Sequence, residues 1–204
     1  MMQLIGMLDS PYVRRVAISL RLLGLPFEHR SISVFRAFDE FRQINPVVKA
    51  PTLVCDDGEV LMDSTLILDY AQALVPSRSL MPTGIKERQH ALRLVGLALA
   101  ACEKAVQIVY ERNTRPPEKQ HEPWIERVQG QLAAACGELE AELQRAPLEL
   151  TSARITQAGI TTAVAWQFMH MVLPGVVDAA AYPALQTLSL QAEQLPEFLA
   201  APPL

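Results

Sequence analysis

Apolar positions along this chain follow two different rhythms. From Leu4 to Leu8 they form a run of strand length. From Pro11 the spacing becomes helical, with Val13, Val16, Ala17, Leu20 and Leu23 on one face and Arg14, Arg15 and Arg21 on the other. Ser10 stands as the cap, Pro11 suits the first helical position because its missing NH would be unpaired there, and Gly24 with Pro26 marks the stop. A hydroxyl at such a helix start sits beside free backbone NH groups and the positive end of the helix dipole, so an anion beside it is stabilised. Simple capping is the commoner reason for a serine at such a position, and on these residues alone it is the preferred reading.

The alternation resumes at Phe27 to Val34, a second strand, and Phe35 to Ile44 reads as a helix stopped by Asn45-Pro46. Ala50 to Cys55 is a third strand, and Asp56-Asp57-Gly58 is a hairpin turn into a fourth, Glu59 to Met62. Asp63-Ser64 occupies an N-cap position before Ile67, Tyr70, Ala71 and Leu74, and Pro76 ends that helix. The order βαβαββα requires a parallel pair joined by a right-handed crossover, with a hairpin adding antiparallel strands. The expectation is an α/β domain over residues 1–76.

Residues 77–84, which follow Pro76 and carry Ser77, Ser79, Pro82 and Gly84, read as a linker to an all-α domain over 85–204. Ile85 to Arg112 is periodic through Leu92, Val95, Leu99, Cys102, Val106 and Val109, and Trp124 to Gln144 follows as its antiparallel neighbour. A third helix is expected over Ala158 to Val172, with Thr156 as cap and Ile155 and Ile160 as a hydrophobic staple; Gly159 stands where a capping-box acid would. Pro174-Gly175 ends it, Tyr182-Pro183 opens another, and the tail from Ala200 reads as a surface strap without a function.

Composition narrows the function classes. With 204 residues, a net charge of −4, half the residues hydrophobic and a fifth charged, the chain lacks the basic signature of nucleic-acid binding. Apolar stretches such as Leu94 to Cys102 fall far short of the roughly 20 residues that span a bilayer, and Met1 opens on no leader pattern, so a cytoplasmic protein without a membrane partner is expected. Cys55, Cys102 and Cys136 are too few and too scattered for a disulfide framework, and His29, His90, His121 and His170 show no metal spacing; no metal is expected.

Three pieces, taken together in this order, resemble the glutathione S-transferase superfamily. They are Ser10-Pro11-Tyr12-Val13-Arg14-Arg15-Val16, then Asn45-Pro46-Val47-Val48-Lys49-Ala50-Pro51-Thr52-Leu53, and Asp63-Ser64 opening a helix. The resemblance implies a thioredoxin-like N-terminal domain followed by an all-helical C-terminal one. It implies a cis Pro51 that turns the backbone of Ala50 toward the cysteinyl amide of glutathione. Asp63 and Ser64 would hold the γ-glutamyl end, with Lys49 suiting the glycyl carboxylate. The first motif is most similar to the serine-type members related to the plant tau class, where serine replaces the cysteine of omega-type proteins. Ser10 would then stabilise the glutathione thiolate by donating a hydrogen bond, and thiol-disulfide exchange is disfavoured for want of a protein thiol.

As implied by the resemblance, the protein is a homodimeric, detoxifying transferase that conjugates small hydrophobic electrophiles, with glutathione as co-substrate and no other cofactor. The electrophile pocket would lie between the domains, with Tyr12, Tyr110, Arg112 and Trp166 as liners. Dimer contacts would come from the helices starting at Asp63 and Ile85, through Leu66, Tyr70, Arg88, Leu92 and Val95. An isomerase or peroxidase would use the same thiolate. A non-catalytic regulatory scaffold, as in bacterial relatives that bind RNA polymerase, would be marked by loss of Ser10, Pro51, Asp63 and Ser64, all present here. Three positions depart from the family pattern: Val48 where glycine is common, Ala50 where valine is, and Gly159 where aspartate is.

Overall fold

The first strand, β1 (Met2–Ile5), has both faces covered: Leu4 and Ile5 point to opposite sides of the sheet, and each is fully buried. The computed structural model describes residues 1–203. β1 pairs in parallel with β2 (Phe27–Arg30), placing Met2 opposite Phe27, and antiparallel with β3 (Thr52–Val54), placing Ile5 opposite Thr52. β4 (Val60–Met62) completes the sheet in the order β2-β1-β3-β4. Helices α1 (Pro11–Leu22), α2 (Phe38–Ile44) and α3 (Ser64–Leu74) complete the βαβαββα pattern, the thioredoxin-like arrangement expected.

Several boundaries move for local reasons. β1 ends at Ile5 because Gly6, at φ 134°, turns the chain out of the extended ladder. α2 begins three residues later than the spacing predicts, because the Ser33 hydroxyl accepts from the NH groups of Phe35 (3.2 Å) and Arg36 (3.1 Å) and makes a turn of that stretch.

A larger correction concerns α1. Arg14 and Arg15, expected on the open face, are only 2% and 3% exposed, and only Arg21 of the three is in solvent. What covers Arg14 is the C-terminal segment. Phe198, in the short helix α8 (Pro196–Leu199), and Ala201 are fully buried; Arg14 Nε donates to the Ala201 carbonyl at 2.8 Å, and its guanidinium lies over the Phe198 ring at 5.6 Å. Accordingly the chain divides into one compact unit of Met1–Met81 plus the segment from Gln194 onward, and a second of Pro82–Glu193. The tail thus belongs with the sheet rather than with the helices. Most of the expected linker is also fastened to the first unit, since the Gln72 amide donates to the carbonyls of Val75 and Arg78 and accepts from Leu80 N.

The second unit is helical: α4 (Ile85–Thr114), α5 (Glu122–Arg145), α6 (Gln157–Val172) and α7 (Pro183–Ala192), with two short 3-10 turns. Ion pairs fix α4 and α5 as antiparallel, Arg93 with Glu142 near one end and Arg112 with Glu122 at the other. The buried face of α4 keeps Val95 and Cys102 of the expected stripe but is otherwise made of Ala91, Leu94, Ala98, Ala101, Ala105 and Ile108, while Leu92 is 54% exposed. Small alanines let neighbouring helices approach closely, so they take the inner face in preference to the larger leucines. α6 is buried along nearly its whole length. Thr156 precedes it at the cap position but its side chain makes no capping bond. A Cβ at Gly159 would lie 3.1 Å from Ile155 Cγ1 and 3.3 Å from Leu150 Cδ2, so a side chain there requires these two residues to give by a few tenths of an ångström. The start of α7 is served by the buried Glu140 of α5, whose two oxygens accept from Ala184 N and Leu185 N at 2.9 Å each. Among the described residues no helix is long and apolar enough to cross a membrane.

Candidate active site

Ser10 caps α1 from a half-buried position. Its backbone is extended (φ −73°, ψ 123°), its NH donates to Met7 O at 3.2 Å, and its carbonyl accepts the first helical bond from Arg14 N at 2.9 Å. The hydroxyl oxygen accepts from Val13 N only at 3.5 Å, a long contact that leaves the hydroxyl proton to donate outward.

The loop before β3 is brought next to this helix by Gly6. A Cβ there would fall 2.7 Å from Val13 Cγ2 and 3.1 Å from Ala50 Cβ, so the absence of a side chain lets three segments meet. The Ala50–Pro51 peptide is cis, as the family resemblance implied. Two buried residues build the loop: Thr52 Oγ1 accepts from Asn45 Nδ2 (2.8 Å) and donates to the Lys49 carbonyl (2.7 Å), while Asn45 Oδ1 accepts from Val47 N (3.0 Å). Lys49 itself is exposed. Val48 lies at φ 53°, the left-handed region, which accounts for the glycine common there in the family.

At the start of α3, Asp63 caps the helix by accepting from Thr65 N at 2.8 Å. Its backbone, at φ 72° and ψ 125°, is a strained conformation for a residue with a side chain and costs on the order of 1–3 kcal/mol, held in place by its surroundings. Ser64 is 3% exposed, and its hydroxyl already accepts from Arg15 Nη1 at 3.2 Å; the same nitrogen reaches Thr65 Oγ1 at 3.4 Å. Arg15 thus holds the Ser64 hydroxyl in place.

Protein thiols offer no competing nucleophile. Burial pushes the Cys55 thiol up despite a hydrogen bond with Tyr70, and it pushes Cys136 up to about 12. No cluster of three or more His, Cys, Asp or Glu among the described residues is arranged to hold a metal.

The expected pocket liners fall in different settings. Tyr12 is half-buried on the first turn of α1. Tyr110 lines a cleft of about 360 Å³ within the helical unit, with Val106, Gln107 and Trp124, beside the Glu111–Arg115 ion pair. Neither Arg112 nor Trp166 lines that cleft. Arg112 is a strut, paired with both oxygens of Glu122 and bonded to Gln120, and Trp166 is a core side chain, 1% exposed, donating to Gln186 Oε1 at 2.8 Å. Gly6, Arg15, Asn45 and Thr52 are the site residues that pattern reading missed. Gly6, directly between a strand and a capped helix, was the one legible signal.

Residues 4–79 match the glutathione S-transferase N-terminal domain. A crystal structure of a glutathione transferase family member from Pseudomonas fluorescens Pf-5 with bound glutathione superposes with a TM-score of 0.84 at 28% identity, covering 100% of both chains. Over residues 4–79 the chain is a glutathione S-transferase N-terminal domain, and over its full length it shares the fold of that glutathione transferase family member. The uncharacterized GST-like protein YibF of Escherichia coli (strain K12) is 27% identical over 174 residues, 85% of this chain and 86% of YibF. The maleylacetoacetate isomerase of Pseudomonas aeruginosa is 29% identical over 133 residues, 61% of this chain and 63% of that enzyme.

Proposed function

We propose that this protein conjugates glutathione to small hydrophobic electrophiles, with Ser10 holding the sulfur as thiolate. The observation that carries the reading is the Ser10 hydroxyl at the start of α1, one Gly6-sized gap from the cis Ala50–Pro51 loop. In this reading the Ala50 backbone takes the cysteinyl amide, Lys49 the glycyl carboxylate, and Asp63 with Ser64 the γ-glutamyl amine and carboxylate. An unperturbed thiol near 8.5 must fall by about 2 units to be mostly ionised at neutral pH, which is about 2.7 kcal/mol. A charge-assisted hydrogen bond from Ser10 supplies about 1.5–3 kcal/mol, and the helix dipole up to about 2 more. The two suffice without a metal or a histidine.

The electrophile would be met by Tyr12, on the first turn of α1. Exposed Leu66 on α3 and Leu92 on α4, with Arg88 and Tyr70, are the contacts assigned to a homodimer; Val95, at 8% exposure, is too buried to add to them. Three buried cysteines that form no disulfide fit a reducing cytoplasmic compartment and a detoxifying role there. A second reading, a glutathione-dependent isomerase, is favoured by the likeness to the Pseudomonas aeruginosa enzyme and keeps the same thiolate; release of an unconjugated isomer distinguishes it. Glutathione at 100 times its Kd raises stability by about 2.7 kcal/mol, a clear rise in Tm. Ser10→Ala is expected to keep that rise, lose the ultraviolet thiolate absorbance of bound glutathione and slow conjugation about 100-fold. Equal thiolate in the two proteins removes Ser10 from the mechanism.

A further inference from the structure

Arg15 is charged, 3% exposed, and placed by the turn of α1 so that one nitrogen meets both hydroxyls at the start of α3, Ser64 Oγ at 3.2 Å and Thr65 Oγ1 at 3.4 Å. A guanidinium only donates. The Ser64 oxygen therefore spends a lone pair on Arg15, and its own proton is directed away from Arg15 toward whatever binds. This sets the polarity of the hydroxyl: it faces the ligand as a donor. Two further contacts hold the parts in place. Asp63 fixes the Thr65 NH at 2.8 Å, and the preceding Arg14, stacked on Phe198 and bonded to Ala201 O, clamps the turn of α1 that carries Arg15.

We propose that Arg15 is a positioning residue that orients Ser64 as a donor and places a buried positive charge behind it, so that this end of the site selects a carboxylate over a neutral group. The inference rests on the glutathione reading above, in which that carboxylate is the α-carboxylate of the γ-glutamyl residue. Arg15 acts through Ser64; a donor pointed outward with a cation behind it is stronger toward an anion than the same hydroxyl alone.

The test compares glutathione with 4-aminobutyryl-cysteinyl-glycine, the same tripeptide without the α-carboxylate, by calorimetric titration of the full chain. Wild type is expected to prefer glutathione by about 10- to 100-fold. In Arg15→Gln the preference falls to within about threefold, because glutathione weakens and the analogue does not; Arg15→Lys, which keeps a donor and a charge, recovers part of it. A structural role alone would weaken both ligands equally, and an unchanged preference overturns the proposal. Ser64→Ala guards against a misfolded Arg15→Gln: it should collapse the preference to the same degree, and a preference retained in Ser64→Ala overturns the proposal on its own. If wild type binds neither ligand, the glutathione reading fails and this inference with it. If wild type binds both but the variants keep the preference, only the role of Arg15 fails.

Discussion

Replacing Gly6 by alanine tests the contact that joins Ser10 to the cis-proline loop. Two costs are expected. At φ 134° an L side chain is strained by about 1–3 kcal/mol. The new Cβ also falls 2.7 Å from Val13 Cγ2, and Val13 is fully buried and, as a β-branched residue in a helix, confined to essentially one rotamer. It cannot swing aside, so the backbone must move, at the overpacking cost of about 1–3 kcal/mol. Gly6→Ala should thus lower stability by about 2–6 kcal/mol, read from urea midpoints. The steric part is isolated by a cycle with Val13→Ala, which removes the Cγ2 atom. If the clash is real, Gly6→Ala costs about 1–3 kcal/mol less in the Val13→Ala background. Coupling below about 0.5 kcal/mol would mean that the two residues act independently, and would refute the argument that close approach is what Gly6 provides.

Two further outcomes follow from packing and charge. Phe198→Ala should cost about 3–5 kcal/mol, because the ring is fully buried and carries the Arg14 guanidinium; a loss under about 1 kcal/mol in thermal or urea unfolding would show that the tail does not hold α1. Glu142, bonded to Arg145, Arg93 and His90, has its carboxyl held down at about 2 from an ordinary 4.5. A depressed folded-state value means the folded protein binds fewer protons, so the stabilisation is complete above about pH 4.5 and fades as the pH falls toward 2. Tm values of wild type and Glu142→Gln should differ at pH 7 and converge by about pH 2, and a gap that stays constant across that range contradicts the linkage.

Periodicity and punctuation were enough for the order βαβαββα, because each element of the sheet domain is bounded by a residue with one dominant role: Pro11, Asn45, Gly58, Asp63, Pro76. They were not enough for α1, where one apolar stripe was read as the whole buried surface. Two adjacent arginines look solvated by any local rule. They are buried because Phe198 and Ala201, nearly 190 residues away, return to cover Arg14, and because the α3 hydroxyls accept from Arg15. The same blindness applied to α4, where pattern reading favours leucines over alanines for the inner face, while helix approach distance favours the reverse. Asn45 and Thr52 illustrate a third case. Both were read correctly as a helix stop and a strand residue, and their side-chain work in holding the loop became visible only once Lys49 O was seen within 2.7 Å of Thr52.

Val48 is where the sequence departs most pointedly from the family near the site, and its geometry indicates what that departure does. The left-handed backbone at φ 53° costs a residue with a β-carbon about 1–2 kcal/mol, which a glycine would avoid. Against that, the valine side chain packs on the buried cluster of Ile5, Ile32 and Phe41. Full burial of a valine contributes about 1.5–3 kcal/mol, and Val48 is only half-buried, so its gain is of the same size as the strain. A glycine loses this packing and gains freedom in the unfolded chain, so the two residues come out nearly equivalent in stability. The shape of the loop is then set elsewhere. Asn45 and Thr52 tie it to the ends of α2 and β3 whichever residue stands at 48, and the Ala50 backbone is presented in the same place. Valine at 48 therefore reshapes the loop less than the substitution suggests. Affinity for glutathione should depend on the Asn45–Thr52 bond and on the Arg15–Ser64 pair, both buried, more than on the residue whose identity differs.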